Sequence, residues 1–320
     1  MQKKKLKFLK NNQITLIKDK IKYKIFWTLL FLQILSVFIP NAIILTSLFI
    51  VLIGLLLTGK QYNGGFIIII SFIAGVEVYF KQLSADGLTT SIVPWEYSKY
   101  AASLICFVYF IRNINAKRSF DTWLYAVFFL GLVSFFITIL FTTQATFVDF
   151  YKKFAEGFIN IFAIVFTCLS FDLIKIKLSD FKNIIIFYGL GIFPTIYTLI
   201  TKLFDLSIIR FSGVSNHEFA GYGPIHTSTA LSFLAGFIII GTFIYNIWRN
   251  KILMSFLILF ILFLTLLTFS RSGIAITIPG LALAYISYKR NFKVIGSFLL
   301  IILFVILAGL PFMNDLTGDA

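Results

Sequence analysis

The chain of 320 residues is far more apolar than a soluble domain: 59% of its residues are hydrophobic, 13% are charged, and the mean hydropathy is +0.95. This composition excludes a soluble enzyme and indicates a polytopic membrane protein. The formal net charge of +15 resides in basic loops and a lysine-rich tail. It therefore indicates membrane topology and contact with anionic membrane lipids, and no nucleic-acid partner is expected.

Repeated apolar runs predict an all-α fold with about eleven transmembrane helices, because about 20 apolar residues cross a bilayer. The predicted spans cover residues 24–39, 42–58, 64–80, 98–111, 122–141, 155–174, 184–203, 227–248, 252–269, 274–288 and 294–311. The first two flank the short sequence IPNA, so we expect them to form either a tight helical pair or a re-entrant hairpin.

The distribution of basic residues gives the orientation of these spans, since cytoplasmic loops carry the excess of Lys and Arg. With the N-terminus in the cytoplasm, the outer segments hold only seven of the 28 basic residues, namely Lys81, Lys99, Lys152, Lys153, Lys202, Arg210 and Arg271. The sequence thus predicts a cytoplasmic N-terminus.

The chain is predicted to comprise a basic cytoplasmic tail (residues 1–24), a multi-helix membrane domain (25–311) and the beginning of an outer loop (312–320). A lysine-rich tail before an apolar run is also typical of a signal peptide, but no small-x-small cleavage site follows, which favours an uncleaved first span. Cys106 and Cys168 lie far apart within apolar runs, so neither a disulfide nor a metal site is expected.

The sequence TFSRSGIAI, residues 268–276, places Arg271 at the outer face between two apolar runs. An arginine near the hydrocarbon costs several kcal/mol unless it faces water or an opposite charge. A side chain that snorkels from a helix end would satisfy this condition. The neighbours favour an anion site instead, because Ser270 and Ser272 add hydroxyl donors and Gly273 allows a ligand to approach the backbone.

The longest complete outer loop, residues 204–226, is the second candidate for function, because loops carry binding and catalytic residues more often than spans do. Its candidate residues are Arg210 in the sequence RFSG, Gly213, His217, Glu218 and His226. Alternatively, Arg210 is an ordinary surface charge, His217 and Glu218 form a solvated pair, and His226 is a backbone-bonded residue at the start of a helix.

The sequence FSRSGIAI, with RFSG in an outer loop about sixty residues upstream, resembles the O-antigen ligase and polymerase family of bacterial surface-polysaccharide assembly. The resemblance covers residues 205–290. It implies a GT-C-type membrane glycosyltransferase without metal or cofactor, in the bacterial cytoplasmic membrane. The implied substrates are a polyprenyl-diphosphate-linked glycan donor and a glycan or lipid-linked acceptor, used on the outer face. A flippase and a chain-length regulator are implied as partners, and a polymerase is slightly favoured over a ligase.

The resemblance implies that Arg271 and Arg210 contact the donor's diphosphate, and a guanidinium fork suits phosphate oxygens. Because the acceptor hydroxyl must lose a proton, a base is required, for which His226 is the candidate. The sequence GYGPIHTSTAL around His226 is similar to a helix-start motif of capsule polymerases, but Thr227 and Ser228 replace the usual Pro-Asn pair. The residues implied to bind substrate are Ser270, Ser272, Gly273, Gly213, His217 and Glu218.

Two other interpretations stay open at this point. A solute transporter would share the topology and hydrophobicity, but transporters tend to show symmetry-related repeats and ionisable residues near the middle of the membrane. A non-catalytic component of an assembly complex is favoured if the chain is truncated. Truncation is predicted because ligases carry a large outer loop with a functional histidine after the eleventh span, whereas this sequence stops at PFMNDLTGDA.

Overall fold

The computed structural model describes residues 21–39, 43–58, 63–85, 97–113, 178–204, 217–220 and 224–268, together with the single residues 129 and 133. The described regular structure is entirely helical. Its helices are α1 (Ile21–Phe38), α2 (Ile43–Leu57), α3 (Asn63–Ala85), α4 (Tyr97–Arg112), α5 (Leu178–Leu203), α6 (His217–Ala220), α7 (Pro224–Ile239), continued by a π-helical turn at Ile240–Ile244, and α8 (Lys251–Leu267).

Four of the described helical segments are long and apolar enough to cross a membrane: Ile21–Phe38, Gly64–Gln82, Asp180–Leu203 and Pro224–Ile244. These segments expose large apolar side chains, as expected for helices that face lipid: Phe31 is 63% exposed in Ile21–Phe38 and Phe233 is 47% exposed in Pro224–Ile244. Large apolar surfaces of this kind are rare on soluble monomers. The prediction of an all-helical membrane protein is therefore confirmed for the part of the chain that the structure describes.

Three predicted spans, 155–174, 274–288 and 294–311, lie outside the described residues, and so do residues 1–20 and 312–320. Within the predicted span 122–141 only Phe129 and Val133 are described, and both are helical.

The structure moves several helix boundaries away from the predicted ones. Helix α5 begins at Leu178 rather than 184, and Asp180 in its first turn interacts favourably with the helix dipole. Helix α7 ends in the π-helical turn, and the chain leaves the helix at Tyr245 instead of continuing to 248. Helix α8 begins at Lys251, because the side chain of Asn250 accepts a hydrogen bond from the N–H of Leu253 at 3.0 Å.

The chain divides into two compact units. Unit 1 contains residues Met1–Glu77 and Thr89–Asp180, and unit 2 contains Val78–Leu88 and Phe181–Ala320. Of the described helices, α1, α2, α4 and most of α3 belong to unit 1. Nearly all of α5, together with α6, α7 and α8, belongs to unit 2.

In unit 1, α2 and α4 run parallel to each other and are tied at both ends. The hydroxyl of Tyr97 donates to the carbonyl oxygen of Ser47 at 2.7 Å near their N-termini. Near their C-termini, Arg112 Nη1 donates to the carbonyl oxygen of Leu55 at 2.8 Å and also to Thr58 Oγ1. Helices α2 and α4 correspond to the second and fourth predicted spans, which must cross a membrane in the same direction. Their parallel packing agrees with this order.

Helices α1 and α3 complete the described part of unit 1. The hydroxyl of Ser98, at the start of α4, donates to the carbonyl oxygen of Ile73 at 2.9 Å, and the Phe66 and Tyr109 rings stack with their centroids 4.3 Å apart. These contacts make α3 antiparallel to α4. Helices α1 and α2 are in contact, since Thr46 Oγ1 donates to the carbonyl oxygen of Leu32 at 3.5 Å.

Unit 2 is an antiparallel arrangement of α5, α7 and α8 around one apolar core. The Tyr188 hydroxyl in α5 donates to the carbonyl oxygen of Ala230 in α7 at 3.1 Å, and the Phe181 ring lies 6.2 Å from that of Phe237. Helix α8 turns back along α7 after a short connection. The core residues of this unit are Val78, Ile185, Tyr188, Ile192, Leu199, Phe219, Ala230, Leu231, Leu234, Ala235, Ile238, Ile258, Ile261, Leu264 and Leu267.

Candidate functional site

The candidate site residues belong to segments that begin or end at one end of the unit 2 bundle. Because α5 and α7 are antiparallel and α8 reverses direction again, the C-terminal ends of α5 and α8 and the N-terminal end of α7 point the same way. Leu203, Pro224 and Leu267 mark these three helix ends. We call this the loop end of unit 2, and we call the opposite end, which contains residues 181–182 and 245–251, the basic end.

A short helix anchors the second half of the outer loop at the loop end. Phe219 of α6 is completely buried and belongs to the core of unit 2. The hydroxyl of Thr227, also completely buried, donates to the carbonyl oxygen of Ala220 at 3.1 Å. One apolar side chain and one hydrogen bond thus fix the described residues on both sides of segment 221–223.

His226 lies beside this anchor, in the first turn of α7. The helix begins at Pro224, and proline suits this position because its fixed φ is already helical and its missing N–H has no acceptor there. The side chain of His226 is exposed, whereas the next residue, Thr227, is buried. The helix begins at Pro224, three residues before the predicted span 227–248, and the side chain of His226 is exposed at the loop end.

The structure describes the other predicted site residues only in part. His217 and Glu218 are the first two residues of α6. The remaining predicted residues, Arg210, Gly213, Ser270, Arg271, Ser272 and Gly273, lie outside the described residues. The flanking described residues are Phe204, at the end of α5, and Thr268, which caps the C-terminus of α8.

Sequence reasoning missed a set of buried hydroxyl groups inside unit 2. The side-chain oxygens of Thr195, Ser232 and Thr242 are buried without a hydrogen-bond partner among the described residues. Thr195 follows Pro194, which removes one backbone hydrogen bond from the middle of α5. Buried polar groups without partners are uncommon and costly. For Ser232, the run of hydroxyl residues in the sequence HTSTALS, which it ends, is the signal that could have pointed to it.

Within the described ranges, no group of three or more His, Cys, Asp and Glu side chains could hold a metal ion. No family model, no curated protein and no solved structure matches the chain. What the described residues define is the class: an all-helical, membrane-embedded protein.

Proposed function

We propose that the chain is a membrane glycosyltransferase of surface-polysaccharide biosynthesis, with about eleven spans in a GT-C-type architecture. It acts on polyprenyl-diphosphate-linked glycans at the outer face of a bacterial cytoplasmic membrane, with its N-terminus in the cytoplasm, and it polymerises repeat units rather than ligating finished glycans. One observation carries this proposal: α5, α7 and α8 direct the ends that flank both arginine-containing segments toward the same end of unit 2.

The covalent chain limits how far the two arginines can lie from this end. Arg271 follows Thr268 by three residues. An extended residue spans at most about 3.6 Å, so the Cα atom of Arg271 lies within about 11 Å of the C-terminus of α8. Arg210 follows Phe204 by six residues, which allows at most about 22 Å from the end of α5. Both distances support a shared site at the loop end.

The proposed reaction is a direct displacement at the anomeric carbon of the donor sugar. The acceptor hydroxyl oxygen forms the new glycosidic bond, the bond from the anomeric carbon to the phosphate oxygen breaks, and its electron pair leaves with the polyprenyl diphosphate. Arg271 and Arg210 neutralise the charge that grows on the diphosphate, since a guanidinium stays charged and can bond two phosphate oxygens. The displacement inverts the configuration at the anomeric carbon.

The proton of the acceptor hydroxyl goes to His226 in this mechanism. An imidazole is suited to this task because it gains and loses a proton near neutral pH. The exposed position of His226 and the buried bond from Thr227 to Ala220 support this role, since the imidazole is accessible and its backbone is anchored. The diphosphate is already a good leaving group, so the reaction requires no general acid.

The length of the surface glycan in cells tests this proposal. We expect Arg271→Ala to abolish long polymer and Arg271→Lys to restore it poorly, because lysine lacks the planar fork. Lys202→Ala is the matched control, since it removes a positive charge from the last turn of α5 at the same end of the bundle. Membrane levels of each variant are measured in parallel. Unchanged polymer with Arg271→Ala at normal protein level would refute the proposal.

A further inference from the structure

The basic end of unit 2 carries a second cluster of cations, which the proposed reaction does not use. Lys182, Arg249 and Lys251 are all exposed there, and Lys182 Nζ lies 5.0 Å from the centroid of the Trp248 ring. This distance lies within the range of a cation–π interaction. Lys182 and Trp248 are 66 residues apart in the sequence, so only the fold brings them together.

Aromatic packing fixes this arrangement. The Phe181 ring contacts the Tyr245 ring edge to face at a centroid distance of 5.6 Å. Gly241, in the π-helical turn, allows α5 to approach closely, because a Cβ at this position would lie 2.8 Å from Ile185 Cδ1. Asn246, with a φ of 51°, then turns the chain toward α8, and asparagine tolerates this left-handed conformation better than most residues.

The charge of the cluster is strongly positive. Of the described residues 178–182 and 245–251, only Asp180 is acidic, whereas Lys182, Arg249 and Lys251 are basic. Such a cluster attracts phosphate groups, and arginine and lysine near a membrane surface also attract anionic lipid headgroups.

An apolar surface begins directly beside these cations. In the first turns of α8, Ile252 is 72% exposed, Leu253 57% and Phe256 66%. Tyr245 is 44% exposed on the other side of the connection, and tyrosine and tryptophan are enriched where a membrane meets water. A positive cluster at the edge of an apolar surface matches a ligand that has both an anionic headgroup and acyl chains, whereas a free phosphate would use only the cluster.

We propose that the basic end of unit 2, formed by Lys182, Trp248, Arg249 and Lys251, binds the phosphate headgroup of an anionic membrane lipid, whose acyl chains lie along the exposed face of α8. This site lies at the opposite end of the bundle from the proposed catalytic site and is independent of the proposed reaction. It recognises charge and apolar surface together, so neutral lipids bind it more weakly.

The test measures lipid binding to the full chain in a nonionic detergent by native mass spectrometry, with dioleoyl phosphatidylglycerol as the anionic probe and dioleoyl phosphatidylcholine as the neutral one. We expect Lys182→Gln combined with Arg249→Gln to weaken phosphatidylglycerol binding roughly 30-fold, which is about fivefold for each charge removed. The charge-preserving pair Lys182→Arg and Arg249→Lys should retain binding within about threefold, and it also controls for misfolding.

A matched control keeps the change in net charge the same. Lys202→Gln removes one cation from the last turn of α5, at the opposite end of the unit 2 bundle, and is compared with Lys182→Gln, which removes one cation from the cluster. Equal weakening by this control would overturn the proposal in favour of diffuse attraction. Equal affinity for both lipids would overturn it as well. Complete competition by inorganic phosphate would identify a site for a free anion instead of a lipid.

Discussion

The two units hold their helices together in different ways. In unit 1, side chains tie neighbouring helices to each other at both ends: Tyr97 bonds to Ser47 at one end of α2 and α4, and Arg112 bonds to Leu55 at the other. In unit 2, an apolar core joins the helices, and the hydroxyls of Thr195 and Ser232 are buried without partners among the described residues. The units do not differ in whether they bury polar groups without partners among the described residues, since both amide atoms of Gln33 in unit 1 are buried without one. They differ in how their helices are joined.

The proposed site lies at the loop end of unit 2. The loop end of unit 2 is also where a four-residue helix, α6, anchors a loop with a single buried aromatic ring, Phe219. We therefore expect substitutions in unit 1 to affect stability first, and substitutions at the loop end to affect glycan transfer first.

The largest effect on stability is expected at the closest helix contact in unit 1. A Cβ on Gly54 would clash with Ile105 Cδ1 and would lie 3.3 Å from Ile69 Cγ1. Gly54→Leu should therefore destabilise the protein by about 3 kcal/mol, through forced separation of the helices. In unit 2, Gly189→Ala should be neutral or slightly stabilising, because its Cβ would meet only Leu234 Cδ1 at 3.5 Å. Thermal unfolding in detergent measures both, and equal losses would contradict the packing described here.

The next largest effect on stability is expected from Arg112, which donates hydrogen bonds at the C-terminal end of α2. Arg112→Ala removes the bonds to the carbonyl oxygen of Leu55 and to Thr58 Oγ1. Because the arginine is exposed, we expect a loss of about 1–2 kcal/mol, at the lower end of hydrogen bonds to charged groups. A double-mutant cycle with Thr58→Val isolates the contact between the two side chains. A coupling energy of zero would show that this contact contributes nothing to stability.

A smaller effect is expected from two tyrosines that have the same role in the two units. Tyr97→Phe removes a 2.7 Å bond to Ser47 in unit 1, and Tyr188→Phe removes a 3.1 Å bond to Ala230 in unit 2. Each substitution should lower the free energy of unfolding by about 0.6 kcal/mol, because the acceptor carbonyls also accept hydrogen bonds within their own helices. We expect the shorter bond to matter more. The opposite order of the two melting temperatures would argue against the contrast between the units.

The smallest effects on stability are expected from two buried threonines of unit 2, Thr227 and Thr242, and they should differ. Thr227→Val breaks the bond to the carbonyl oxygen of Ala220 and should lower the free energy of unfolding by about 0.5 kcal/mol, at the low end for an intramolecular hydrogen bond. Thr242→Val removes a hydroxyl without a partner among the described residues and should be neutral. The two variants should differ more strongly in the length of the surface glycan, since only Thr227 anchors the loop. If both variants shorten the surface polymer equally, this anchor has no special role in transfer.

The sequence predicts the described helices because long apolar runs leave few alternatives. The ends of these helices depend on other forces. Helix α5 continues to Leu178 through polar residues that a hydropathy window excludes. Helix α6 has only four residues, too few for any periodicity, and it exists because Phe219 finds a buried position in the core. The sequence also presents Arg112 as a loop charge, whereas its role as a cap on α2 depends on a contact with residues more than fifty positions away.

From the sequence, the candidate site can be predicted only as a pattern of residue types, without the contacts between them. The histidine at the start of α7 was predicted because GYGPI ends a loop and an apolar run follows. The bond from Thr227 to Ala220 could not be predicted, since it requires the loop to fold back onto its own helix. The basic end shows the same limit, because Lys182 and Trp248 meet only through the antiparallel packing of α5 and α7.

The most direct test of the central claim is the release of polyprenyl diphosphate by the purified full chain in proteoliposomes that contain a lipid-linked glycan donor and acceptor. The account predicts release coupled to glycan extension in the unmodified protein, and a loss on the order of 100-fold with Arg271→Ala, as for the removal of one charge-stabilising donor. Lys202→Ala should retain full activity. Release that persists within a few-fold in Arg271→Ala, or its absence in the unmodified chain, would contradict the account.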